Sequence, residues 1–109
     1  MNIPEHRQAI DKLDAQIVKL LNDRTRHVLG IGDFYWKRSE YQSAAGRYRQ
    51  VLDEYPGLGL DAEALYKLGL CYTHMNRDDD ARRIFEVILE NYEDSDVARA
   101  AQDQIPSAN

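Results

Sequence analysis

Cysteine and histidine, the side chains that most often bind metals or act as nucleophile and base, are scarce in this sequence, and their spacing excludes most of that chemistry. Cys71 is the single cysteine, so it can form no internal disulfide. His6, His27 and His74 are scattered, and with one thiol they do not supply the closely spaced ligands of a tetrahedral zinc site. Three consecutive aspartates stand at 78–80. A calcium loop alternates its ligands and places a glycine at its sharp turn, and this run does neither. The run fits the start of a helix, where carboxylates meet unpaired amide groups. There is no glycine-rich phosphate loop and no nucleophile motif. The expectation is therefore no metal and no cofactor, with Cys71, inside the apolar run LGLCY, a small buried core residue.

The elements around these residues are those of an ordinary globular chain. Of 109 residues, 43% are hydrophobic and 30% charged, enough for one modest core. The formal charge of −5, with no clustered basic face, argues against a nucleic-acid partner. No apolar run approaches the roughly 18–20 residues of a membrane span, so no membrane insertion is expected. The opening MNIPEHRQ shows no apolar signal segment, which predicts a cytoplasmic setting for the chain as given.

An internal repeat of period 37 organises the second part. Val28 aligns with Leu65, Ile31 with Leu68, Gly32 with Gly69 and Tyr35 with Tyr72. Ala44 aligns with Ala81, Tyr48 with Phe85, Val51 with Ile88 and Tyr55 with Tyr92. Within each copy these fall at i, i+3, i+4, i+7, first on one helix and then on a second. Ser39 with Gln42 predicts a capping box, the aspartates at 78–80 and Asp61 predict further helix starts, and Ser95 predicts the cap of a last short helix, DVARAAQDQI.

The order of a large apolar residue, apolar-Gly, Tyr, a small Ala, an aromatic and a late Pro resembles the tetratricopeptide repeat. Copy one carries Val28, Ile31, Gly32, Tyr35, Ala44, Tyr48 and Pro56. Copy two carries Leu65, Leu68, Gly69, Tyr72, Ala81 and Phe85, with Glu93 where the family has Pro. The period exceeds the usual 34 by three residues, which fit in the loop at 56–61. Residues 25–105 are especially similar to the repeats of bacterial outer-membrane assembly lipoproteins and Tol-Pal accessory proteins, which are periplasmic. The lipidated cysteine and export signal of those lipoproteins have no counterpart in the sequence. The resemblance implies a concave groove lined by the first helix of each hairpin. Carried over, the groove positions are Arg26, Leu29, Asp33, Trp36 and Lys37, then Glu63, Tyr66, Leu70, Thr73 and His74, with Trp36 and Tyr66 as aromatic anchors for a peptide.

Residues 5–24 have no partner in the second copy. Ile10, Leu13, Ile17, Leu20 and Leu21 form an apolar stripe at alternating 3 and 4 spacing, on a helix predicted to run from about 5 to 38, roughly 50 Å. With too little intrachain material to cover it, that stripe predicts a homodimer interface. Residues 6–32, with Arg, I-D-x-L-D, a Leu pair, Arg and a glycine, resemble the first helix of the all-helical chorismate mutases. That resemblance implies carboxylate-holding roles for Arg7 and Arg24 and adds to the expectation of a dimer. Tyr35 stands where the family's catalytic lysine would be, and its later contributors have no match, so the constellation is incomplete. Two families sharing one helix leave two readings: an engineered chimera, that is a de novo protein, or a natural repeat protein with a mutase-like leader.

The sequence thus predicts an all-α protein, a long N-terminal helix continuing into two tetratricopeptide-type hairpins and a capping helix. Its divisions are a helical extension at 1–24, repeats at 25–58 and 59–94, and the cap at 95–106. The expected function is a non-enzymatic protein-interaction or assembly scaffold that self-associates through its N-terminal helix. The alternatives are peptide binding in the groove and residual chorismate mutase activity.

Overall fold

The computed structural model describes the backbone of residues 3–105 and the side chains of residues 15–105. The chain is all-helical over this range: α1 (Ile3–Lys37), α2 (Tyr41–Glu54), α3 (Asp61–His74), α4 (Asp78–Asn91) and α5 (Asp96–Gln104). Each helix packs on the next, and α3 also touches α5. α1 runs without a break through Gly30 and Gly32.

Close approach within each hairpin follows from two glycines. A Cβ on Gly32 would lie 2.6 Å from Cε1 of Tyr48, and one on Gly69 would lie 2.5 Å from Cε1 of Phe85. The bare backbone of the first helix thus seats an aromatic ring from the second, at positions 37 apart. Tyr48, Val51, Phe85, Ile88, Ala64 and Cys71 form the fully covered centre of the core. Cys71 is buried as expected, and burial pushes its thiol up to about 12.

The turns repeat with the same period, and here the capping expectations need correction. Ser39 and Asn76 both adopt the left-handed conformation, with φ of 60° and 61°. The Ser39 and Glu40 amides donate to the Trp36 and Tyr35 carbonyls, and the Asn76 and Arg77 amides donate to Thr73 and Tyr72. Each is a Schellman motif, which closes the helix before it. Ser39 therefore ends α1 and does not form a capping box with Gln42; Glu40 stands at the start of α2 with no side-chain cap bond. Asp61 lies inside α3, where its carboxylate accepts the Gly57 amide at 3.0 Å and ties down the preceding loop. The aspartates at 78–80 occupy the first turn of α4 and suit its dipole, but none makes a cap bond. Ser95 does cap α5, accepting the Ala98 amide at 3.0 Å.

α5 keeps the repeat's register. Ala101 stands 37 after Ala64 and both are fully buried, while the left-handed residues Asp94 and Gly57 precede them at the same interval. At the other end, α1 outgrows the stack. Ile17 and Leu20 are 54% and 68% exposed, and among the described side chains of α1 the first buried one is Thr25. This projecting length gives a radius of gyration of 17.3 Å, against about 13 Å for a compact chain of this size.

Candidate functional site: a recess between the two hairpins

α1 and α3 are the first helices of the two hairpins, and side chains from both meet in one recess. Asp33 and Trp36 come from α1, Tyr66, Lys67 and Leu70 from α3, and Tyr48 reaches in from α2. The recess holds about 160 Å³. That is smaller than the roughly 300–1,000 Å³ of small-molecule pockets, and close to the space of about 150 Å³ that takes one benzene ring. It is therefore sized for a side chain.

One wall is an ion-pair network. Lys67 Nζ lies 3.0 and 3.1 Å from the two Asp33 oxygens and 3.1 Å from a Glu63 oxygen. The Tyr48 hydroxyl donates to Asp33 at 2.6 Å. Burial pushes the Lys67 ammonium down, but hydrogen bonds to Asp33 and Glu63 and the charge of both carboxylates outweigh it, and the net shift is upward. Burial, then the hydrogen bond to Asp33 and its charge, push the Tyr48 phenol far above its ordinary value. Asp33 is thus doubly engaged and Lys67 stays charged. Neither is a free base or nucleophile, so the arrangement suits holding a ligand more than transforming one.

The other wall is aromatic. Trp36 meets His74 edge-on at 5.0 Å between ring centroids and Tyr41 edge-on at 5.1 Å, while Tyr41 and His74 stack at 4.4 Å. Tyr66 leans on Phe85 at 5.9 Å. These contacts hold Trp36 and Tyr66 in place at the recess, so an incoming group meets rigid surfaces.

Of the groove positions expected from sequence, Asp33, Trp36, Tyr66 and Leu70 come together here, with Glu63 and His74 as direct supports. Leu29 is a core residue, 4% exposed, because it lies on the buried face of α1. Arg26 borders a separate depression with His27, Gly30, Ile31 and Phe34. Thr73 borders one with Asp78 and Arg82, and its hydroxyl donates to the Gly69 carbonyl. Lys37 is exposed at the end of α1. Lys67 and Tyr48 were not among the expected groove residues. The Glu63 and Lys67 spacing of four was legible as a helical ion pair, but the pairing of Lys67 with Asp33, 34 positions away, follows only from stacking. Of the stripe, Ile17, Leu20 and Leu21 are exposed, while the Ile10 and Leu13 side chains lie outside the described residues, as does that of Arg7. Arg24 is exposed. Among the described residues there is no cluster of three or more metal-ligating side chains, and no helix long and apolar enough to cross a membrane.

Two stacked hairpins with glycine-seated aromatics and a recess between their first helices define a helical-repeat interaction scaffold. The chain belongs to the tetratricopeptide repeat family, which it matches over residues 35–105. It is also similar to the outer membrane protein assembly factor BamD of Rickettsia prowazekii, with 32% identity over 96 residues, covering 84% of this chain and 36% of that protein. The BamD of Xylella fastidiosa strain 9a5c is 29% identical over 86 residues, covering 76% of this chain and 29% of its own length. The chain thus spans about a third of the length of these curated relatives. The Rickettsia likeness covers more of the chain than residues 25–109 amount to, so it runs into the N-terminal helix.

Proposed function

We propose that this chain is a protein-binding module that serves the assembly of outer-membrane proteins, and that it holds an extended segment of its partner by one aromatic or aliphatic side chain. The observation that carries this reading is the recess of about 160 Å³ between Trp36, Tyr66 and Leu70, floored by Tyr48 and walled by the Asp33–Lys67 pair. The apolar walls would take the side chain, and the ion pair at the rim offers a donor and acceptors to the peptide backbone beside it. The names of the relatives support the assembly setting. The mutase-like Arg24 stands exposed on α1 and does not line this recess.

Trp36 is the only tryptophan, so its fluorescence reports on the recess. Ten-residue extended peptides differing in one central residue (Phe, Leu, Ser or Lys) would be titrated against it. Saturable binding of the Phe and Leu peptides with Kd below about 1 mM, lost in Leu70→Glu, supports the proposal. Equal responses from all four peptides, or none from any, defeat it.

A second reading is self-association through α1. It rests on the exposure of Ile17, Val18, Leu20 and Leu21 on α1.

A further inference from the structure

We infer that the outer face of α1, from Ile17 to Phe34, is an open repeat-stacking surface, and that the same face of a second copy of this chain, running antiparallel, covers it. The inference rests on the self-association reading and gives it a face and an orientation.

The argument starts from the repeat. α3 packs mainly on α2 and α4 and also touches α5. Its Gly69 side faces α4, where Phe85 lies against it. Ala64, Leu68 and Cys71 lie on a different side of α3, roughly a third of a turn or more away, and they are buried at 0%, 3% and 0%. Cys71 on that side lies close enough to Tyr48 of α2 to act on its phenol, so that side is turned to the preceding hairpin. The corresponding positions of α1, 37 residues earlier, are His27, Ile31 and Phe34. His27 is exposed, Ile31 only half-buried, and Phe34 55% exposed. With Gly30 they border an open depression of about 440 Å³. No helix among the described residues stands where α2 stands for α3.

The same seam continues toward the N-terminus. Positions 17, 20, 24, 27, 31 and 34 alternate steps of three and four, the spacing that keeps one face of a helix toward a partner helix. At one end of this seam Ile17 and Leu20 project beyond the stack uncovered, and at the other the stacking face is empty. A twofold axis across α1 places each end on the other copy's complement. Ile17 then meets the partner's Phe34, and Leu20 the partner's Ile31. Arg24 and His27 lie near the axis, where Arg24 can reach outward to water along its apolar stem. The contact is isologous and closes at two subunits. It also continues the interface that already joins α2 to α3, with the partner's helix in the place of a preceding repeat. A further tetratricopeptide-type hairpin is the rival occupant, but this chain's own second helices are already covered, which leaves the uncovered length of α1 as the complementary element.

Light scattering after size exclusion at about 100 μM protomer separates the outcomes. The samples are the wild type, Leu20→Glu, Phe34→Glu and the control Val87→Glu on α4. All three sites are exposed, so the variants should keep the wild-type far-UV circular dichroism. The wild type and Val87→Glu are expected at twice the chain mass of 12.6 kDa, and the other two at 12.6 kDa. A wild-type monomer overturns both the self-association reading and this inference. A monomeric Leu20→Glu beside a dimeric Phe34→Glu leaves self-association standing and overturns the stacking-face assignment. Dimers throughout, or dissociation of Val87→Glu as well, place the contact elsewhere and overturn the inference.

Discussion

Gly30 and Gly32 lie two residues apart in the same helix, and alanine at each should change stability in opposite directions. Helix propensity favours alanine by about 0.8–1 kcal/mol at either site. At Gly30 nothing lies within 4 Å of the added methyl, so that gain stands alone. At Gly32 the methyl would meet Cε1 and Cδ1 of Tyr48 at 2.6 and 2.9 Å. Tyr48 is 1% exposed and its hydroxyl is tethered to Asp33 at 2.6 Å, so the ring cannot swing away without losing that bond. Overpacking costs about 1–3 kcal/mol, and a lost hydrogen bond to a charged group about 1.5–3. With both costs and the propensity gain subtracted, the net effect of Gly32→Ala is a loss of about 1.5–5 kcal/mol. Thermal unfolding followed by circular dichroism would read this, with both variants in the Leu20→Glu background so that self-association does not contribute. Gly30→Ala should raise Tm by about 4–8 °C, and Gly32→Ala should lower it by at least as much. If both raise Tm, the tight seating of Tyr48 on α1 is wrong.

Stability should be lost in alkali. The Tyr48 phenol, the Cys71 thiol and the Lys67 ammonium are all raised above their ordinary values in the fold. Above about pH 9 the unfolded chain gives up protons that the folded chain keeps, so stability falls as pH rises. The urea midpoint should hold steady from about pH 6 to 8 and drop from about pH 9 upward, with a shallower drop above about pH 10 in Tyr48→Phe; a flat midpoint to about pH 11 contradicts the burial of these groups. Ser95→Ala should cost about 1 kcal/mol, because it removes the acceptor for the Ala98 amide. Hydrogen exchange of that amide should quicken while amides in α1 and α2 keep their protection, and unchanged exchange at Ala98 would remove Ser95 from its capping role.

Most of the architecture was legible in local pattern. The pairs Gly32 with Gly69 and Tyr48 with Phe85 announced both hairpins, because a residue without a Cβ opposite a large ring is a contact written into residue type. The apolar stripe through Ile17 and Leu20 announced a helix with an uncovered face. Helix ends were read less well. Ser39 is a good capping residue by type, yet its left-handed backbone closes α1 in a Schellman motif, and a side-chain preference does not reveal which of two adjoining helices it serves. The sequence predicts α5 as a cap; its register with Ala64 through Ala101 lies in a short segment with little pattern to match.

Residue pattern alone dictates the helices, their order and the partners within each hairpin, since those contacts join neighbours in the chain and leave a period in residue type. The site arises from how the hairpins stack. Asp33 and Lys67 have no counterparts at the repeat interval: Leu70 and Gly30 stand there. Their pairing depends on how far one hairpin is rotated on the next, a quantity summed over the whole interface and carried by no single residue. The same rotation brought Trp36, Tyr66 and Leu70 around one small space, while Leu29 lies on the buried face of α1 and Arg26 borders a separate depression.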